Sequence, residues 1–311
     1  MGAYSIKRLT QGLLLIITVS YLAFALLFIM PGDPIDILTG DRVPPEKKAE
    51  LRISYGLDKP MYIQYYNWLN KVLSGDFGNS IKTKQPVAEA LSQRIPLTLK
   101  LVGIATVIQV LLSIPLGLIA AYKKDSWVDR LLMTFASVTQ VIPNYWLGIL
   151  LILLFSITLK WLPMNGYSSA NHFILPIISV AFGGAAGLIR LAKTEVLDVF
   201  REKYVLTAYA KGLSDKAVIL RHVLRNSLIL IVTLVFMDIP WIISGAVIIE
   251  NVFVIPGMGS YLTNGITNQD FPVVQACVLI ITVLTVLCNL ASDLINGMLD
   301  PRIRMEISRG N

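Results

Sequence analysis

Residues 101–122 read LVGIATVIQVLLSIPLGLIAAY, 22 consecutive positions without a charged side chain. An α-helix rises about 1.5 Å per residue and needs about 20 predominantly apolar residues to cross the hydrocarbon core of a bilayer. Working outward, the same test finds Leu9–Gly32 (24 residues), Leu131–Leu159 (29), Trp161–Ile189 (29), Asn226–Ile249 (24, interrupted only by Asp238) and Phe271–Ser292 (22). Lipid offers no partner to an open strand edge, so spanning segments are helices or closed barrels, and runs this long without alternation are helices. The spacing predicts an all-α polytopic membrane protein with six transmembrane helices near 10–30, 100–121, 131–157, 174–192, 228–249 and 273–297.

Composition agrees. Of 311 residues, 55% are apolar and 15% charged, and mean hydropathy is +0.65. A soluble chain carries about 25% charged residues. That excludes a disordered chain, a disulfide scaffold and an ordinary soluble enzyme. The two cysteines, Cys277 and Cys288, would lie roughly 16 Å apart along one helix, too far to bridge. Lys7 and Arg8 could begin a signal peptide. The apolar stretch after them is too long, however, and ends in Met30-Pro31-Gly32-Asp33-Pro34 without a small-residue cleavage site, so an uncleaved first helix is expected.

The net charge of +7 is unevenly distributed. With a cytoplasmic N-terminus, the inside segments hold Lys7, Arg8, Lys123, Lys124, Arg130, Arg190, Lys193, Arg201, Lys203, Lys211, Lys216, Arg221, Arg225, Arg302, Arg304 and Arg309, whereas the short outside loops hold only Lys160. Basic residues in short loops set orientation, and long loops count little. Both ends are therefore expected inside and the long segment 31–99 outside. The basic pI follows from loops beside anionic headgroups, with the lipid bilayer as partner and no nucleic acid.

Two segments are more than connectors. The outside one begins with turn formers (Gly32-Asp33-Pro34, Gly40-Asp41, Pro44-Pro45), then shows a helix start at Pro45-Glu46 and an aromatic run from Met61 to Leu69 suited to a membrane interface. It reads as a small cap. The division expected is residues 1–99, first helix plus cap, and 100–311, a five-helix core with a cytoplasmic loop at 193–226. In that loop a helix ending near Lys211 has Gly212 as its C-terminal turn, and Ser214 opens a second short helix. Two short helices at a sharp turn make a rigid cytoplasmic protrusion.

At this loop the sequence resembles the coupling loop of ATP-binding-cassette (ABC) importer permeases. Leu206-Thr207-Ala208-x-x-x-Gly212 matches the spacing of that motif, with Leu206 and Thr207 in place of its Glu and first Ala, as in the dipeptide, oligopeptide and nickel branch. The same branch is matched, in order, by Gly56-Leu57-Asp58-Lys59-Pro60, Gln64-Tyr65 with Trp68-Leu69, and Gly75-Asp76-Phe77-Gly78-Asn79-Ser80. Pro143-Asn144-Tyr145-Trp146, Leu162-Pro163 with Gly166-Tyr167, and Arg221-His222-Val223-Leu224-Arg225-Asn226 follow. Glu250-Asn251-Val252-Phe253 with Pro256-Gly257-Met258-Gly259, Asp270-Phe271-Pro272-Val273-Val274-Gln275 and Asp300-Pro301-Arg302-Ile303-Arg304 complete the set. It is similar to the B-type permease subunit, slightly closer to nickel or metal-chelate permeases than to dipeptide ones.

The resemblance implies the type I importer permease fold in the cell membrane of a prokaryote. It implies uptake of nickel, metal chelates or short peptides through a path shared with a second homologous permease subunit. Two ATP-binding subunits and an extracytoplasmic substrate-binding protein would complete the system. ATP and Mg would sit on those partners, with no cofactor in this chain, and no Gly-x-x-x-x-Gly-Lys-Ser/Thr phosphate loop occurs here. On the resemblance, Thr207, Ala208, Lys211, Gly212, Leu213 and Arg221 form the ATPase-coupling loop.

Other site readings come from the residues. Asp238 in mid-span is costly in lipid, so it faces a translocation path or serves as a strut for another helix, and Pro240 beside it favours a bend. Pro143 breaks span three and Asn144 could satisfy the freed backbone, as path lining or as a pure kink. Glu250 with Pro256, Gly257 and Gly259 reads as an outer gate loop or as an interfacial cap. Gly183-Gly184 is no phosphate cradle, and the stretch Ala181 to Gly187 reads as a close helix-packing face or as a gate hinge. No metal site is expected, and neither His172 nor His222 belongs to a zinc motif. A membrane enzyme lacks its paired carboxylates here. An ion-coupled or passive transporter without ATPase partners is the alternative, and it would leave the 193–226 protrusion without a role.

Overall fold

The computed structural model describes residues 2–29, 35, 43–54 and 57–299. The turn formers between Met30 and Asp41, Gly56, and the Asp300–Arg304 motif with the C-terminal arginines lie outside the described residues.

The first long apolar run forms α1 (Gly2–Ile29). The outer segment contributes α2 (Pro45–Ser54), with Glu46 in its first turn and Arg52 in its last, each matched to the helix dipole. It also contributes α3 (Met61–Leu73), which starts after Pro60. Tyr65 ties α3 to α1: its hydroxyl lies 2.7 Å from Ser20 Oγ, and its ring meets Tyr21 edge-on at 5.2 Å. Part of the aromatic run expected at the membrane surface therefore glues two helices together, while Tyr62 and Tyr66 face outward.

Next comes α4 (Val87–Tyr122), which begins well before the charge-free stretch because a helix continues into water as long as its backbone bonds are made. The third expected span is a broken one: α5 (Trp127–Val141) and α6 (Asn144–Leu151) meet at Ile142-Pro143 with a bend of 97°, and α6 runs on into a π turn at Ile152–Thr158. Proline at 143 removes a donor and disfavours helical backbone at Ile142, which is extended (ψ 117°).

After this come α7 (Asn171–Phe200), α8 (Lys203–Ala210) and α9 (Asp215–Val218), which passes through a π turn (Ile219–Val223) into α10 (Leu224–Val252). The chain closes with α11 (Met258–Thr267) and α12 (Phe271–Leu299). The expected second short helix of the cytoplasmic loop is thus the tip of a membrane helix. Ser214 holds its N-cap position without a side-chain cap bond.

Among the described residues, five helices are long and apolar enough to cross a membrane, and the bent pair makes six if it counts as one span. No strand forms among them; one isolated bridge joins Asn79 and Pro86. The most extensive packing is α4 on α7. At Gly117 a Cβ would lie 2.6 Å from Ala192 Cβ and 2.8 Å from Ile189 O, so the two backbones nearly touch there. The core is Leu101, Val102 and Ala105 of α4, Leu175 and Val180 of α7, and Ile243, Ala246 and Ile249 of α10, closed by Phe253. Lys193 Nζ reaches Asp129 Oδ1 at 2.6 Å and pins α7 to α5. Arg8 pairs with Asp293 at 3.3 Å and pins α1 to α12. Both cysteines are free.

Candidate functional site

Three places gather the predicted site residues. At the Gly212 turn, α8 buries Val205 and Ala208 against Ala121, Val196, Val218 and Val223. Ala208 is 4% exposed, which explains a small residue there. Thr207 and Lys211 are exposed, and Thr207 Oγ1 donates to its own helix at Lys203 O. Gly212 has φ +77°. Its N–H bonds Tyr209 O at 2.9 Å while Leu213 N bonds Ala208 O at 3.3 Å, the paired bonds of a Schellman C-cap. A Cβ on Gly212 would meet nothing within 4 Å; the demand for glycine is conformational, not spatial. Tyr122 donates to Asp215 at 3.2 Å and fixes the tip against the end of α4. Burial, together with the adjacent Asp215, pushes the Tyr209 phenol above its ordinary value, so it stays neutral. The outward side presents Tyr204, Leu206 (61% exposed), Tyr209 and Leu213, with Arg221 also exposed on the π turn.

In mid-membrane, Asp238 of α10 accepts a hydrogen bond from Gln109 Nε2 of α4 at 2.8 Å. Gln109 is 2% exposed, and its Oε1 has no partner among the described residues. A buried acceptor left unmade costs about 1–3 kcal/mol. Helix α10 continues unbroken through Pro240. Pro143 stands at the start of α6 with Asn144 behind it. Asn144 does not satisfy the backbone freed by the break: its side chain makes no hydrogen bond among the described residues and lies on Gly183, where a Cβ would collide with its amide. Gln109 sits in the same way on Gly184, 2.5 Å from where a Cβ would be. The two glycines are thus seats for polar side chains, while Ala181, Ala185 and Ala186 of the same stretch are buried in the helix packing.

Near the C-terminal end of α10, Glu250 is fully buried. Thr98 Oγ1 donates to its Oε1 at 2.5 Å and Ser260 N to its Oε2 at 3.0 Å, while Met258 N donates to Thr98 Oγ1 at 2.8 Å. Gly257 lies against the carboxylate, and a Cβ on Gly259 would be 2.8 Å from Val247 Cγ2. Glu250, Gly257 and Gly259 therefore act together, with Pro256 between them and the buried Ile255. They fold the loop after α10 back over α4. Beside it, Asp270 clasps the 78–87 segment: Ser80 Oγ donates to Oδ2 at 2.5 Å, and Ile81 N to Oδ1 at 3.0 Å.

Reading the sequence missed Gln109, Thr98 and the clasp role of Asp270. A polar residue inside a charge-free span was the available signal for Gln109; Thr98 lies before Lys100, outside that stretch, and gave none. Among the described residues no three metal-ligating side chains converge.

Residues 113–305 match the family model described as binding-protein-dependent transport system inner membrane component, and residues 1–102 match the model of its N-terminal part. The oligopeptide transport system permease protein AppB of Bacillus subtilis is 34% identical over 314 residues, covering 97% of this chain and 99% of that protein. A probable peptide ABC transporter permease protein of Sinorhizobium fredii is 35% identical over 312 residues, 98% of this chain and all of its own. The glutathione transport system permease protein GsiC of Salmonella typhimurium is 35% identical over 301 residues, 97% of this chain and 98% of that one.

Proposed function

Because the chain belongs to the family of binding-protein-dependent transport system inner membrane components, we propose that its cargo is a short peptide. It is the permease subunit of an ABC importer, a multi-pass protein of the cell membrane and not itself an enzyme; ATP hydrolysis belongs to partner subunits and cargo delivery to a substrate-binding protein. The relatives named for oligopeptides, peptides and glutathione favour a peptide over nickel or a metal chelate.

The finer assembly is our reading: this chain pairs with a second, homologous permease, two ATP-binding subunits dock inside and carry ATP and Mg, and this chain holds no cofactor. Both ends lie inside and the cap outside. The observation that supports the inner docking site is the α8–Gly212–α9 turn, a rigid protrusion with Tyr204, Leu206, Tyr209 and Leu213 uncovered. Thr207, Ala208, Lys211 and Arg221 belong to the same knob. The path runs past Asp238, where Pro240, Pro143 and Asn144 flank it, and the Glu250, Pro256, Gly257, Gly259 loop closes its outer end. A polar pair in mid-membrane is what a wet path requires and what a lipid-facing surface excludes.

Proteoliposomes holding the complete importer test the cargo. ATP-dependent uptake of radiolabelled trialanine is expected, with none in the absence of ATP. Uptake of nickel but not trialanine would overturn the peptide reading.

A further inference from the structure

Two helices meet the glycine pair of α7, α4 bringing Gln109 to Gly184 and α6 bringing Asn144 to Gly183, and α10 brings Asp238 to Gln109. The Gln109 amide turns Nε2 toward Asp238 and leaves Oε1 over. Among the described residues Oε1 has no partner, and the Gln109 side chain is enclosed. Among the same residues Asp238 Oδ1 accepts no hydrogen bond, the one from Gln109 going to Oδ2. Among the described residues the pair therefore keeps two unpartnered acceptors, Gln109 Oε1 and Asp238 Oδ1, against one remaining amide N–H of Gln109. No ion pair reaches Asp238 among the described residues.

Such a pair is completed by a positively charged group rich in N–H donors. A metal ion would require more ligands than converge here. A compact ammonium supplies three donors.

We infer that Asp238 and Gln109 form an ammonium-binding subsite in the translocation path, which takes the free amino terminus of a peptide cargo. This rests on the reading that the path runs past Asp238 and that the cargo is a peptide. Gln109 is then a specificity-determining residue. Its amide orients the carboxylate through Nε2, and the half-buried Asp238 is the side chain that meets the incoming amine. A peptide amino terminus has an ordinary pKa of about 7.7–8.0, so it arrives mostly protonated at neutral pH. An N-acetylated peptide brings neither the charge nor the three donors.

The test uses the permease pair with its ATPase subunits in nanodiscs, probed with radiolabelled trialanine and N-acetyl-trialanine. Wild type should hold trialanine at least about tenfold more tightly, which is what one hydrogen bond to a charged group supplies. Gln109→Met keeps the length of the side chain on the Gly184 seat and removes both polar atoms; it should erase that preference. Asp238→Asn keeps the shape of the pair and removes the carboxylate; it should erase the preference as well, and a retained preference in this variant counts against the subsite even if the Met variant fails to assemble. Equal binding by wild type, or an unchanged preference in Gln109→Met, overturns the inference. ATP-driven uptake separates the two readings: if wild type carries neither peptide, the cargo reading falls and takes the subsite with it. If both peptides are carried alike by wild type and by Gln109→Met, the subsite falls alone.

Discussion

Replacing Asp270 by alanine isolates one clasp on the outer face. Its carboxylate receives Ser80 Oγ at 2.5 Å, Ile81 N at 3.0 Å and Lys82 N at 3.3 Å. Ser80 is 1% exposed, so its hydroxyl would be left buried without an acceptor, at about 1–3 kcal/mol. The two backbone donors are partly exposed and regain water, so their loss is discounted. The anchoring of 78–87 to the start of α12 should weaken by about 2–4 kcal/mol. If that segment opens locally, its amides exchange ~30- to ~1000-fold faster. The reporters are Ser80 N, Lys84 N and Val87 N, bonded to Gln85 O, Ser80 O and Gly78 O. Hydrogen exchange read by mass spectrometry on the reconstituted complex measures this, with Asp270→Asn expected in between because it keeps one acceptor. Exchange in 78–87 within threefold of wild type for Asp270→Ala would refute the reasoning.

Gly212→Val should abolish ATP-driven uptake while the permease still inserts, because a β-branched residue at φ +77° costs at least about 1–2 kcal/mol; full uptake by that variant removes the coupling assignment, and Gly212→Asn, which tolerates this backbone better, should retain part. A cysteine introduced at Ser214 should react only with membrane-permeant reagent and one at Ser74 with impermeant reagent from outside; outside labelling at Ser214 sinks the orientation. Asp238→Asn should leave the complex assembled in detergent and lower uptake several-fold, whereas loss of assembly would identify a strut, and unchanged uptake with intact assembly counts against both roles.

Counting gaps between charges was enough to place the spans because the hydrocarbon core tolerates almost no charge, and the rule works on composition alone. It does not see backbone geometry, so the 97° break at Ile142-Pro143 read as a single kinked span and the start of α4 at Val87 was hidden in the cap. The Schellman turn at Gly212 was legible because glycine after Lys211 is a local signal that needs no tertiary context. The seats at Gly183 and Gly184 were not: a small residue looks the same whether a backbone or an amide side chain fills the space beside it. Gln109 and Thr98 carry no charge, and only their partners, more than a hundred residues away, give them meaning. Asp238 stood out in the sequence by its charge, but its partner did not.

The passage from α9 through the π turn into α10 joins the inner knob to the outer loop by one continuous stretch of helix, Asp215 to Val252. At 1.5 Å per residue that is ~57 Å of helical path, longer than the bilayer core is thick. A lever of this kind has its handle at the knob, Asp238 part-way along and Glu250 near its far end, where the carboxylate grips Thr98 and Ser260. Force applied to the handle reaches the outer loop without crossing an intervening chain or a flexible joint. The places where such a shaft gives are the π turn at Ile219–Val223, whose bonding differs from the rest, and Pro240, which lacks one rung of the ladder.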